Sequence, residues 1–338
     1  MITPPTGDRD VIDVYSFSSF NVDYILFLTC SQDSAIVYSK IGHFRNSGDE
    51  GGTTLGANWT VREILNWTRS YFQNVGIDQP RLEAEILLAH TLELDRLHLY
   101  LSPDKPLTVE ERTQFRNVIK SRRSGVPLQH LIGETTFFGL RFRANKEALI
   151  PRPETEELAE RALALAPRDR DIACLDLGTG SGVIAVCLAR FLPRATVTAV
   201  DLSPQALELA RENAKLNGVH DRIIFLESDW FERINGAFDL IVSNPPYIAT
   251  EELQQLPVEV RQHEPHLALD GGKRGTECIE ALTGNLRKHL LPGGTLLLEI
   301  GNGQGRRVVE LLNQTGLGEA TVERDFAEKE RFVIARCP

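Results

Sequence analysis

From residue 171 onward the chain alternates short apolar runs with amphipathic stretches, and few folds accommodate that rhythm. Strand-like runs fall at 172–177, 196–200, 223–227, 238–243, 295–300 and 332–336. Helical periodicity falls between them, at about 182–191, 204–217, 275–290 and 304–315. Strands that alternate with helices predict an α/β domain built on a doubly wound, mostly parallel sheet. In such sheets ligands gather beyond the carboxyl ends of the strands. Four of those ends carry chemistry here.

The first strand runs into Asp176-Leu177-Gly178-Thr179-Gly180-Ser181-Gly182. Glycines at 178, 180 and 182 let the backbone turn tightly and approach a ligand closely. The following helix N-terminus favours negative charge such as a carboxylate. Such a loop serves both dinucleotides and S-adenosyl-L-methionine, but GxGxG spacing, rather than GxGxxG, tilts the choice to S-adenosyl-L-methionine. Asp201 closes the second strand, placed to accept hydrogen bonds from two ribose hydroxyls. Ser203 and Pro204 already supply the cap and first residue of the next helix, so Asp201 is not needed as a cap. Asp229-Trp230-Phe231 ends the third strand. There Trp230 can lie against adenine while Asp229 meets a polar edge, although an aromatic at this point can equally be core.

Asn244-Pro245-Pro246-Tyr247 ends the fourth strand. Two prolines remove two backbone donors and fix two φ angles, so the turn is stiff and the strand stops. The Asn side chain offers an acceptor and a donor pair, which suits a planar amide or exocyclic amine. The plain alternative is a tight turn with a satisfied Asn; the four landmarks in this order weigh against it. The expected donor site is Gly178, Thr179, Gly180, Ser181, Gly182, Asp201, Trp230 and Asn244. The expected acceptor site is Asn244, Pro245, Pro246 and Tyr247, with Asn244, Pro245 and Tyr247 acting on the reacting nitrogen.

Upstream the grammar changes. Residues 1–57 mix Ser, Asp, Gly and scattered aromatics and finish in Asn46-Ser47-Gly48-Asp49-Glu50-Gly51-Gly52, which reads as a poorly ordered extension with a weak strand or two. Met1 is the only methionine, so any internal start would have to use a non-Met codon; a misassigned gene start of that kind is one explanation for this segment. Residues 58–126 read as a helical domain of three short helices. Thr60-Val61-Arg62-Glu63 and Thr108-Val109-Glu110-Glu111 cap the first and third. Leu82, Ile86, Ala89 and Leu92 form the inner face of the second. Residues 127–152 read as a β-hairpin linker around Phe137-Phe138-Gly139-Leu140-Arg141-Phe142, and residues 153–338 as the α/β domain.

A net charge of −10 argues against a broad phosphate-binding face. Lys120, Arg122 and Arg123 read as a solvated helix end. No apolar stretch approaches the roughly 20 residues a membrane helix needs. The five cysteines, Cys30, Cys174, Cys187, Cys278 and Cys337, show neither CxxC pairing nor ligand spacing. They suit a reducing cytoplasm. His263 and His266 have no partners at metal spacing, and no metal is expected.

The region from about 59 to 338 resembles the peptide chain release factor N5-glutamine methyltransferases (PrmC/HemK), and its sheet resembles class I S-adenosyl-L-methionine-dependent methyltransferases. The likeness rests on Leu149-Ile150-Pro151-Arg152-Pro153-Glu154-Thr155-Glu156, the glycine loop, Asp229-Trp230-Phe231, Val242-Ser243-Asn244-Pro245-Pro246-Tyr247-Ile248 and Leu298-Glu299-Ile300-Gly301. It departs in residues 1–57, and where the usual Gly-Gly-x-Asp-Gly-Leu becomes Gly271-Gly272-Lys273-Arg274-Gly275-Thr276. The resemblance implies methyl transfer to the glutamine of the Gly-Gly-Gln (GGQ) loop of peptide chain release factors, with the helical domain as docking surface. Asn244 and the Pro245 carbonyl would then accept the two amide N–H bonds while Tyr247 packs on the amide plane. Three other readings stay open: a nucleic-acid adenine-N6 or guanine-N2 methyltransferase, a ribosomal-protein glutamine methyltransferase, and a non-catalytic S-adenosyl-L-methionine sensor.

Overall fold

Both Thr-x-x-Glu signatures start helices in the computed structural model, which describes residues 59–338. The expectations for residues 1–57, Cys30 included, lie outside the described residues. Thr60 accepts from the Glu63 amide while Glu63 accepts from the Thr60 amide at 2.9 Å, opening α1 (Val61–Asn74). Thr108 and Glu111 do the same for α4 (Val109–Arg123). Between them lie α2 (Pro80–Thr91), started by a proline, and the short α3 (Arg96–Leu101), which the sequence reading missed. Phe72, Leu87, Leu88, Leu99 and Phe115 close a small apolar core. The inner face of α2 differs from the expected one. Ala84, Leu87, Leu88 and Ala89 are buried, whereas Leu82 and Ile86 are half-buried. This helix packs on α1, α3 and α4, so its buried surface is wider than one periodic stripe.

Arg122 also corrects the sequence reading. It is not a solvated helix end but is 6% exposed. Its guanidinium pairs with Glu83 of α2 and with Glu259, and donates to the Val126 carbonyl at 3.2 Å. A buried Arg needs such partners.

The linker carries a short helix, α5 (Leu128–Ile132), and an antiparallel hairpin, β1 (Glu134–Phe137) with β2 (Leu140–Arg143). The main domain then runs through α6 (Pro153–Leu165), β3 (Ile172–Leu177), α7 (Val183–Phe191), β4 (Ala195–Asp201), α8 (Pro204–Leu216), β5 (Ile223–Glu227) and β6 (Phe238–Ser243). It continues through α9 (Val258–His263), α10 (Glu277–His289), β7 (Leu290–Glu299), α11 (Gly305–Gln314), β8 (Gly318–Arg324) and β9 (Glu330–Arg336). The seven-stranded sheet has the order β5-β4-β3-β6-β7-β9-β8; β9 runs antiparallel to both its neighbours, and the other pairs are parallel. Period-two alternation decides which residues meet which helices. Ile172 and Cys174 of β3 pack with α6 and α7, while Leu175 and Leu177 pack with α10 and α11. Among the described residues no helix is long and apolar enough to cross a membrane.

The order reverses direction between β3 and β6, whose following connections lead to opposite faces. Leu177 pairs with Ser243, so the two strands finish level. The Ser243 hydroxyl also donates to the Leu177 carbonyl at 2.7 Å. The next residues, Gly178 and Asn244, therefore face one crevice at the switch point.

Candidate active site

The crevice opens into a cavity of about 390 Å³. Gly178, Thr179, Gly180, Ser181, Asp201, Trp230, Asn244 and Pro246 of the sequence-expected set line it. Gly182, Pro245 and Tyr247 do not. Gly182 is the N-cap of α7 at φ +83°, and an added Cβ would stand 2.9 Å from the Ala210 side chain of α8. Its role is a close helix approach. Pro245 is buried behind Asn244.

The glycine loop is held from below. Gly178 and Thr179 both donate to the Val200 carbonyl at 2.8 Å. The Thr179 hydroxyl donates at 2.7 Å, and the Ala185 amide at 3.0 Å, to one oxygen of Asp176. The second Asp176 oxygen is buried without a hydrogen-bond partner. Burial pushes this carboxyl up to about 7. Asp201 accepts from Gly180 at 2.8 Å through one oxygen and from Ser203 at 2.9 Å through the other. Each oxygen keeps a lone pair for a ligand hydroxyl. Ser203 itself caps α8 by accepting from Ala206, leaving Asp201 to the cavity.

Trp230 adopts φ +43°, a left-handed conformation that costs a non-glycine residue energy and that clusters at functional sites. Together with Asp229 and Leu202 it lines the end of the cavity beyond β4 and β5. A space of this size, walled by apolar side chains with acidic groups at two strand ends, has room for S-adenosyl-L-methionine, and the expected donor residues Asp201, Trp230 and Gly178–Gly180 all line it.

The sequence reading missed two other walls. Ala148, Leu149 and Pro151 of the linker form one, and Pro265, Leu267 and Ala268 after α9 form the other. Glu264 ties them together, accepting from the Ile150 amide at 3.3 Å and from Arg152 at 2.7 Å. The Pro-Arg-Pro-Glu-Thr-Glu run was the available signal, because its Arg152 is what clamps this strap.

Thr155 of the same run reaches the Asn-Pro-Pro-Tyr turn. The Asn244 NH₂ donates to the Thr155 oxygen at 3.0 Å, and the Thr155 hydroxyl donates to Glu299 at 2.9 Å. The Tyr247 hydroxyl donates to the other Glu299 oxygen at 3.2 Å. Its ring lies 6.0 Å from the Arg331 guanidinium, and burial beside Glu299 pushes the phenol well above its usual range. Behind the turn lies the segment that departs from the family pattern. Its glycines pack on the backbone: a Cβ at Gly271 would stand 2.8 Å from the Pro246 carbonyl oxygen, and one at Gly275 2.6 Å from that of Tyr247. Lys273 and Arg274 point to the surface, Arg274 pairing with Glu277 and Glu280. The departure therefore falls on exposed Arg274 and on Thr276, which is buried, and spares the glycines that touch the turn.

A doubly wound, mostly parallel sheet with a glycine loop, an acidic strand end and an Asn-Pro-Pro-Tyr turn gathered at its switch point is the architecture of a class I S-adenosyl-L-methionine-dependent methyltransferase. Residues 63–133 match the PrmC N-terminal domain, and residues 160–273 match the methyltransferase small domain. The release factor glutamine methyltransferase of Geobacter sulfurreducens is 43% identical over 279 residues, which span 82% of this chain and 97% of that protein. Those of Cereibacter sphaeroides (44%, covering 78% and 93%) and Chlorobaculum tepidum (42%, covering 81% and 96%) are equally similar. The chain belongs to the release factor glutamine methyltransferase family.

Proposed function

We propose that the protein transfers the methyl group of S-adenosyl-L-methionine to the side-chain amide nitrogen of the glutamine in the GGQ loop of a release factor, acting in the cytoplasm. The observation that carries the reading is the orientation of Asn244. One N–H of its NH₂ donates to Thr155, which turns the amide so that its carbonyl oxygen is the group offered to a substrate N–H at the cavity. The Pro245 carbonyl, next along the turn, is the second acceptor in this reading, although Pro245 itself does not line the cavity of the free protein.

Bound S-adenosyl-L-methionine supplies an electrophilic methyl, whose bond to sulfur breaks as the bond to nitrogen forms. The amide nitrogen is a poor nucleophile because its lone pair is delocalised into its own carbonyl. Two acceptors on its hydrogens hold the lone pair towards the methyl group and favour loss of planarity, so positioning and electrostatics lower the barrier. The proton left on nitrogen passes to water after transfer. The net charge of −10 supports a protein substrate over an extended nucleic acid.

Incubation with labelled S-adenosyl-L-methionine and a bacterial release factor tests this. Label should enter the factor and vanish when the loop glutamine is replaced. Label retained after that replacement refutes the substrate assignment.

A further inference from the structure

An asparagine amide is nearly symmetric in shape, and a half-turn would present NH₂ where an acceptor is needed. Something must hold it one way round. Glu299 sits at the carboxyl end of β7, 1% exposed, and touches both hydroxyls that meet the clamp. The proton inventory is strict. An ionised carboxylate only accepts, so both Thr155 and Tyr247 must donate to it. Thr155 has a single hydroxyl proton. Having given it to Glu299, its oxygen can only accept from Asn244, and it does so at 3.0 Å.

We infer that Thr155 and Glu299 are positioning residues, a one-way chain of hydrogen bonds in which the Glu299 carboxylate fixes the Thr155 hydroxyl and thereby locks the Asn244 carbonyl oxygen towards the substrate. The inference rests on the reading of Asn244 as amide acceptor given above. Neutralising Glu299 weakens the logic, because a Glu299 protonated on the oxygen that faces Thr155 donates to Thr155, frees the Thr155 proton, and lets that proton meet a flipped amide. The groups that face Glu299 are Thr155 and Glu154 from α6, Tyr247 from the turn and Arg331 from β9. Arg331 favours the carboxylate and Glu154 opposes it, while burial pushes the Glu299 carboxyl up to about 7. The switch therefore falls in a measurable range.

The test compares Thr155→Val, Thr155→Ser and Glu299→Gln with the wild type, measuring release-factor methylation between pH 6 and 9 and S-adenosyl-L-methionine affinity by calorimetry. Thr155→Val and Glu299→Gln should lower kcat about 10- to 100-fold, as loss of a supporting contact does elsewhere, with cofactor affinity unchanged. Thr155→Ser, which keeps the hydroxyl, should retain activity. Wild-type kcat should fall as pH drops below about 7, and Glu299→Gln should lack that limb. Full activity in Thr155→Val, or an acid limb that persists in Glu299→Gln, would overturn the inference. The Asn244 side-chain NH₂, followed by nitrogen NMR in the free enzyme, separates the two readings. One slowly exchanging amide proton in the wild type that becomes fast in Thr155→Val supports the lock; no difference sinks it. If the wild type methylates no release factor, the substrate reading alone has failed.

Discussion

At the scale of single residues, the clamp and the donor cradle make separable demands. In the proposed clamp, Asn244→Ala removes an acceptor that is useful mainly when the amide nitrogen begins to pyramidalise. It should lower kcat/KM about 10²- to 10³-fold, as removal of one preorganised transition-state contact does. Calorimetry should still find S-adenosyl-L-methionine bound, and turnover at the wild-type rate would disprove the assignment. Asp201→Ala should show the opposite pattern, because it removes the lone pairs meant for the ribose together with the acceptor of the Gly180 amide. Its cofactor affinity should drop at least tenfold; an unchanged value would end the ribose role. Residues such as Asn244 and Asp201 were legible because each sits where an apolar strand stops. Thr155 was visible only as part of a family-like run. Its partner in space is 89 positions away, and no local pattern encodes which helix start returns to which strand end. Trp230 was legible as an aromatic but not as a residue held at positive φ.

Among the elements, long apolar strands and capped helices followed the sequence closely. The predicted spans at β3, β5 and β6 coincide with the observed ones. β3 and β6 are buried on both faces and leave an unbroken apolar signature, whereas β5 is a half-exposed edge strand read from its apolar run Ile223-Ile224-Phe225-Leu226. β8 was missed. Gly318–Arg324 is one of the sheet's two edge strands, and its polar, charged composition is what keeps an edge from pairing with other chains. α3 and α9, each 6 residues, are too short to show a helical period. The segment between α9 and α10 yields a sharper test. Gly275→Ala would place a methyl 2.6 Å from the Tyr247 carbonyl oxygen at a residue with φ +74°. Stability should fall by about 1–3 kcal/mol for the strained backbone, read by urea unfolding, and kcat should fall as the clamp shifts. Wild-type values of both would mean that this glycine does not support the turn.

For the molecule as a whole, two buried carboxyls give a pH signature. Asp176 and Glu299 are both pushed up to about 7 by burial. The folded state holds these protons more tightly than the unfolded chain does. Their stabilising contribution is therefore complete below the unfolded values near 4 and is lost as pH rises through about 7. The contribution of these two groups to the melting temperature of the free protein should fall between about pH 4 and 7 and level off above it, and Glu299→Gln should flatten that slope. A melting temperature rising over this range would contradict the burial of both groups in their charged form. The sequence anticipated a helical domain, a hairpin linker and a doubly wound domain, yet not the buried Arg122 that joins α4 and α2 to Glu259. A positive charge in a run of basic residues looks the same in one dimension whether water or two carboxylates surround it. One last consequence lies in the level ends of β3 and β6. Neighbouring strands are held about 4.8 Å apart by their ladder, so with Leu177 opposite Ser243 the sheet works as a fixed gauge between two tool heads. The glycine loop and the proline turn therefore start one ladder spacing apart, and what each loop holds is set against that fixed distance.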